Sequence, residues 1–134
     1  MADRTIRIGK VSSVDYGSGM IKVVYPDLDN SVTDDLPYLT FNDEYKMPKV
    51  GASVLVVHLS NGAAAGIVCG SYWNETHKPP VSGKNVYRKD LAQAIGEAFL
   101  QYGSGGLTIH APSITLATSS GSITVGEIIK HIRG

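Results

Sequence analysis

The last third of the chain carries the pattern that most limits its fold. From Gly105 it reads GGLTIHAPSITLATSSGSITVG. Short runs of the form x-Ile/Leu-Thr-Ile/Leu/Val-x recur, broken by Pro112-Ser113 and by Ser119-Ser120-Gly121. A period of two puts Leu107 with Ile109, Ile114 with Leu116, and Ile123 with Val125 on one face. Thr108, His110, Thr115 and Thr124 fall on the other. Each run offers only two apolar side chains to a core. One copy of such a segment cannot bury enough surface to hold itself together. Something has to cover the apolar stripe, and copies of the same chain are the economical cover.

Upstream, the pattern is that of a small β-barrel. Ile6, Ile8, Val11 and Val14 alternate with polar residues, with Gly9 as a candidate bulge. After the turn Tyr16-Gly17-Ser18-Gly19, the run from Met20 to Tyr25 separates Met20, Lys22 and Val24 from Ile21, Val23 and Tyr25. Pro26 ends that strand. Residues 27–37 are acidic and turn-rich and read as a surface loop. Residues 37–41 form a short strand candidate, and 42–50 a second loop. The run SVLVVHL from Ser53 to Leu59 is apolar almost throughout and is expected to be buried on both faces. Ser60-Asn61-Gly62 is a hairpin turn signal, with a small-residue return strand from Ala63 to Tyr72. Residues 1–75 are therefore expected to close into a barrel with Ile8, Val54, Val56 and Ile67 in its core.

From Asn74 to Pro80 the chain turns polar and ends in a double proline, which predicts an extended, stiff connector over 76–84. Residues 85–134 form the second segment, beginning with a strand candidate from Gly83 to Leu91. Residues 89–101 have helix-forming composition, with Leu91, Ile95, Ala98 and Phe99 on one helical face, but Gly96 interrupts it in a β-rich context. Residues 126–134 suit a final strand or a short helix, with Ile128, Ile129 and Ile132 at helical spacing.

Charge and composition narrow the function. Lys+Arg and Asp+Glu both number 12 in 134 residues, so the basic excess typical of nucleic-acid binders is missing. The single cysteine, Cys69, allows neither an intrachain disulfide nor a thiolate metal cluster. The N-terminus lacks the apolar core of a signal peptide, and no apolar run approaches the ~20 residues that span a bilayer. Synthesis in the cytoplasm without secretion by a signal peptide is the expectation.

The order of parts resembles the phage baseplate assembly protein V and tail-spike family, small relatives of type VI secretion spike proteins. The resemblance rests on Gly9-Lys10-Val11, on the stretch from Pro48 to Val56 (PKVGASVLV), and on the stretch from Gly66 to Glu75 (GIVCGSYWNE) followed by Lys78-Pro79-Pro80. The run from Leu107 to Leu116 looks like one rung of the family's β-prism. The resemblance implies an all-β chain. An N-terminal OB-fold-like barrel would precede a short C-terminal β-helix, intertwined as a homotrimer with Leu107, Ile109, Ile114, Leu116, Ile123 and Val125 in the trimer core. It implies a structural, non-enzymatic virion component, the central spike of a contractile phage tail or phage-tail-like injection particle, and would make the cytoplasm of synthesis that of a bacterial host. Its partners would be two further copies, the tail tube and baseplate hub, a separate tip protein and, transiently, the target envelope that it contacts or pierces. Two features depart from the family. The segment after the connector is short, and the His-x-His pair that binds iron at some family tips is missing.

No residue set predicts catalysis or a cofactor. His110 should face away from Leu107 and Ile109; His131 is the histidine that a threefold apex would gather in triplicate. Cys69, within an apolar strand, reads as a buried structural thiol, and its approach to His58 across the hairpin as ordinary packing. Asp27, Asp29, Asp34 and Asp35 lack EF-hand spacing and read as a solvated loop. The glycine clusters at 17–19 and 103–106 are turns rather than phosphate loops. Tyr72 and Trp73 are expected to pack the barrel against its neighbours. The alternative function is a monomeric OB-fold module that binds nucleic acid or carbohydrate through aromatic residues such as Tyr16, Tyr25, Tyr38, Phe41 and Tyr45.

Overall fold

The computed structural model describes residues 5–59 and 65–134. The turn signal at Ser60-Asn61-Gly62 lies outside the described residues. The chain is mostly β-sheet with one short C-terminal helix. It divides into two compact units, Met1–Lys78 and Pro79–Gly134.

The first unit is built on strands β1 (Ile6–Asp15), β2 (Met20–Tyr25), β3 (Ser31–Val32), β4 (Leu36–Pro37), β5 (Ser53–His58) and β6 (Gly66–Ser71). They form one six-stranded sheet in the order β3-β2-β1-β5-β6, with β4 also on β2. The β1–β2 turn is held by Asp15, whose carboxylate accepts from the backbone N–H of Gly17 and Ser18 at 3.2 and 3.4 Å. Ile21, Val23 and Tyr25 turn inward together with Val11, Val54, Val56 and Val68. Beyond β4, an isolated parallel bridge joins Tyr38 to Val68, and the Leu39 N–H donates to the Val68 carbonyl at 2.9 Å. This contact links the β4 end of the sheet to its β6 end, although no strand ladder closes the circuit.

Several expectations change here. Ile8 is 56% exposed. It stands opposite Leu55 on the outer face, and Gly9 takes the inward position instead. The reason is steric: a Cβ on Gly9 would lie 2.5 Å from Val23 Cγ1 and 2.8 Å from the Tyr25 ring. The irregularity in β1 falls between Val11 and Ser13 rather than at Gly9. Ile67 also faces outward, beside Val57, and is only partly buried, whereas Val54 and Val56 are fully buried. Within one chain β5 is therefore covered on one face, not both.

The acidic loop is docked rather than loose. It contains a 3-10 turn at Pro26–Leu28 together with β3 and β4, and it buries Thr33 and Leu36. The Thr33 hydroxyl accepts from the Val23 N–H at 3.0 Å and donates to the Asp34 carbonyl at 2.7 Å. Met47, from the second loop, completes the core. The stretch from Asn74 begins as a tight turn rather than an extended connector. The Asn74 side chain accepts from the N–H groups of Thr76 and His77, both at 2.9 Å.

The second unit has an antiparallel sheet of β7 (Tyr87–Asp90), β8 (Phe99–Gly103) and β9 (Gly106–His110). A separate hairpin follows, β10 (Thr115–Thr118) with β11 (Gly121–Thr124), and the chain ends in helix α1 (Val125–Arg133). The helix-like composition of 89–101 yields two strand ends and an irregular loop. Gly96 sits in the left-handed region (φ 88°), which breaks any helix, and the Leu91 N–H closes the loop neck on the Ala98 carbonyl at 2.8 Å. Val125 opens the helix instead of extending the face of Ile123 in a strand.

Candidate functional site

Register and alternation sort the side chains of β7, β8 and β9 onto two faces. Arg88, Gln101 and Thr108 align across the sheet, as do Asp90, Phe99 and His110. This polar face is tied together by one network. Arg88 makes a two-point ion pair with Asp90, Nε to Oδ2 at 3.1 Å and Nη2 to Oδ1 at 3.0 Å. Its Nη1 donates to Gln101 Oε1 at 2.7 Å. The guanidinium lies 3.7 Å from the centroid of the Phe99 ring, which stacks in turn on His110 at 5.0 Å. Asp90 Oδ1 also accepts from the Gly96 N–H at 3.0 Å, pinning the irregular loop to the sheet.

The opposite face is apolar. Tyr87, Tyr102 and Leu107 align across it, and Leu100 with Ile109 beside the stem of Lys89. Leu107 is 71% exposed and Ile109 56%. The β10–β11 hairpin repeats the arrangement on a smaller scale, with Leu116 directly opposite Ile123 and both exposed. Ile114 and Val125 are half-buried, and the Val125 N–H donates to the Ile114 carbonyl at 2.8 Å. No residue from Pro79 to Gly134 is buried. The unit has regular hydrogen bonding, satisfied polar contacts and no core of its own.

Helix α1 continues the theme. Thr124 and Glu127 form a complete capping box. The Glu127 N–H donates to Thr124 Oγ1 at 3.1 Å, and the Thr124 N–H donates to Glu127 Oε1 at 3.0 Å. The Thr124 N–H, and after it the Thr124 hydroxyl, which donates to Glu127 Oε1 at 2.9 Å, hold the Glu127 carboxyl below its ordinary pKa. Val125, Ile128, Ile129 and Ile132 fall at i, i+3, i+4 and i+7 and make one apolar stripe, yet no residue of the helix is buried.

His110 lies on the polar face, away from Leu107 and Ile109, and its ring is engaged with Phe99. His131 stands on the exposed polar side of α1. His58 is buried against Tyr25, while Cys69 is only half-buried and belongs to the outer face with Ile8, Leu55 and Tyr72, where they line a shallow groove. His58 and Cys69 therefore lie on opposite faces of the sheet. Trp73 is exposed and rests its ring 4.6 Å from that of His77. Tyr25 and Tyr38 are used inside the first unit, where burial raises both hydroxyl pKa values; Tyr16, Phe41 and Tyr45 are exposed. Among the described residues no three His, Cys, Asp or Glu side chains gather as a metal site within one chain.

The Arg88–Asp90 network was not anticipated. Its only sequence signal is an opposite-charge pair at i, i+2 on a strand, which places both on one face. No protein-family model matches the chain, and no curated protein matches it.

Proposed function

We propose that this chain is one subunit of a trimeric central spike at the baseplate end of a contractile phage tail or a related injection particle. The observation that carries this proposal is the second unit, which is regular in hydrogen bonding, apolar along one face and without a single buried residue. Such a unit needs cover, and two further copies supply it symmetrically. The short antiparallel turns of β7 to β11 would form the rungs of an intertwined β-prism. The first unit would serve as the collar that docks on the tube and hub. Its strand order, together with the parallel contact of Tyr38 with Val68, supports an OB-type barrel there.

The role would be mechanical. Sheath contraction supplies the energy and the spike transmits force. Intertwined chains unfold only together, which slows unfolding under load. The sequence resemblance to baseplate assembly protein V supports the same reading.

The test is the solution mass of the purified full-length chain by light scattering after size exclusion. A trimer supports the spike. A stable monomer sinks it, and the barrel-binding alternative would then be tested by titrating the chain with single-stranded oligonucleotides and oligosaccharides.

A further inference from the structure

Helix α1 poses its own problem. At nine residues it is far below the length at which an isolated helix holds in water, so its stability has to come from packing. Its capping box is complete and its apolar stripe continuous, but the described residues leave much of that stripe uncovered: Ile132 is 76% exposed and Ile129 50%. In heptad terms Val125 and Ile132 occupy a, Ile128 occupies d and Ile129 flanks the seam at e. Every charged residue of the helix (Glu127, Lys130, Arg133) and His131 falls outside a, d and e. A seam through the stripe would bury no charge.

We infer that three α1 helices, one from each of three copies, pack in parallel about a common axis. This rests on the trimeric reading above and adds an occupant for the helix stripe. The number of strands follows from the side chains. With Val125 and Ile132 at a but Ile128 rather than Leu at d, the two-stranded coil is disfavoured against three or four strands, and the trimeric reading selects three. Position is consistent as well. The helix starts one residue after β11, immediately after the exposed Leu116–Ile123 pair, and its first N–H is bonded to Ile114. One uncovered stripe thus follows another along the chain, and a single threefold axis would cover both. Threefold symmetry makes the helices parallel without further assumption.

The experiment uses the full chain with Cys69→Ser, so that introduced thiols are the only ones. Its mass is measured first. Ile132→Cys, in the seam, is then compared under mild oxidation with Arg133→Cys, on the outer side. The inference requires seam positions to approach the ~4.4–6.8 Å Cα separation that a disulfide spans, which outer positions would not. Ile132→Cys should give linked dimers in about two chains of every three, the third keeping its thiol, and Arg133→Cys should stay unlinked. Val125→Cys is the second seam position, should Ile132→Cys fail to assemble. A trimer in which neither seam thiol links faster than Arg133→Cys overturns the helix cluster and leaves the spike reading standing. A monomer overturns both. A trimer that stays unlinked but binds phosphatidylserine vesicles through α1 assigns the stripe to lipid and also overturns the inference.

Discussion

Arg88 and Asp90 grip each other through two hydrogen bonds, at 3.0 and 3.1 Å, although a single residue separates them on β7. Their side chains are only 12% and 8% exposed. Asp90→Ala would leave the guanidinium without its carboxylate, with only Gln101 and the Phe99 ring remaining, and the Gly96 N–H without its acceptor. The expected loss is about 2–4 kcal/mol. Arg88→Lys keeps the charge but loses the fork and the stacking on Phe99, with an expected cost of about 1–2 kcal/mol. Urea unfolding of the full chain reads both; a parent-like Asp90→Ala variant would show that the network does not hold the sheet.

Gly9→Ala should destabilise the first unit by about 1–3 kcal/mol or block its folding. The added methyl meets Val23 at 2.5 Å and the Tyr25 ring at 2.8 Å, with no open space to take up the displacement. The same change at Gly19 meets nothing within 4 Å and costs only its left-handed backbone (φ 73°). Thermal melts of the two variants separate packing from backbone conformation.

Alkaline pH should loosen the first unit. Tyr25 is buried, and its hydroxyl lies 2.7 Å from His58 Nε2. In a neutral imidazole, Nδ1 donates to the Ala65 carbonyl at 3.3 Å, so Tyr25 donates to Nε2. Burial raises the Tyr25 pKa, partly offset by the charge of Arg7. A raised folded-state pKa gives stability that is complete below the unfolded value of about 10 and is lost as pH climbs through the folded one. Tyr25→Phe should cost about 1–3 kcal/mol at neutral pH, because it strips Nε2 of its donor, and should flatten the decline above about pH 10. Tyr38, raised by burial too, keeps part of that decline in both proteins. An equally steep decline in Tyr25→Phe would assign the effect elsewhere.

At the acid end the cap of α1 is the sensitive element. Because the folded state lowers the Glu127 pKa, its contribution is present above the unfolded value and fades as pH falls through the folded one. Helical ellipticity should therefore drop below about pH 4, and Glu127→Gln should remove most of that drop.

Ile109→Asp separates a single-chain role from an assembled one. In one chain Ile109 is more than half exposed, and a charge there should change stability by no more than about 0.5 kcal/mol. Around a threefold axis it would set three carboxylates together in an apolar core and block association. Sedimentation velocity of parent and variant at equal concentration tells the two apart; an unchanged oligomer would place Ile109 outside the interface.

The sequence revealed the strands better than it revealed which face they bury. In β2 the alternation assigned Ile21, Val23 and Tyr25 to one face, and that face is inward. In β1 the same rule misassigned Ile8, because a glycine, invisible to any hydrophobic count, occupies the inward position where only hydrogen fits. Thr33, Leu36 and Met47 were missed for a related reason. Short docked segments have no period to detect, and their burial depends on loops folding back over the sheet. In the second unit, Leu107, Ile109, Leu116 and Ile123 were legible as a stripe because alternation is local. The Arg88–Asp90–Phe99–His110 chain was not, since two of its three contacts depend on cross-strand register.

The division at Lys78 has a consequence for biosynthesis. The first unit completes its core from residues already made by the time Lys78 leaves the ribosome, so its folding is a first-order event, indifferent to how many neighbours are being translated. The second unit is made after the first, and none of its residues is buried. On the proposed trimeric reading, the stability it gains by burial would come from encounters between chains, at a rate that rises with chain concentration. Nascent chains on one polysome would meet that requirement before release, and dilute expression would leave folded heads carrying unfinished tails.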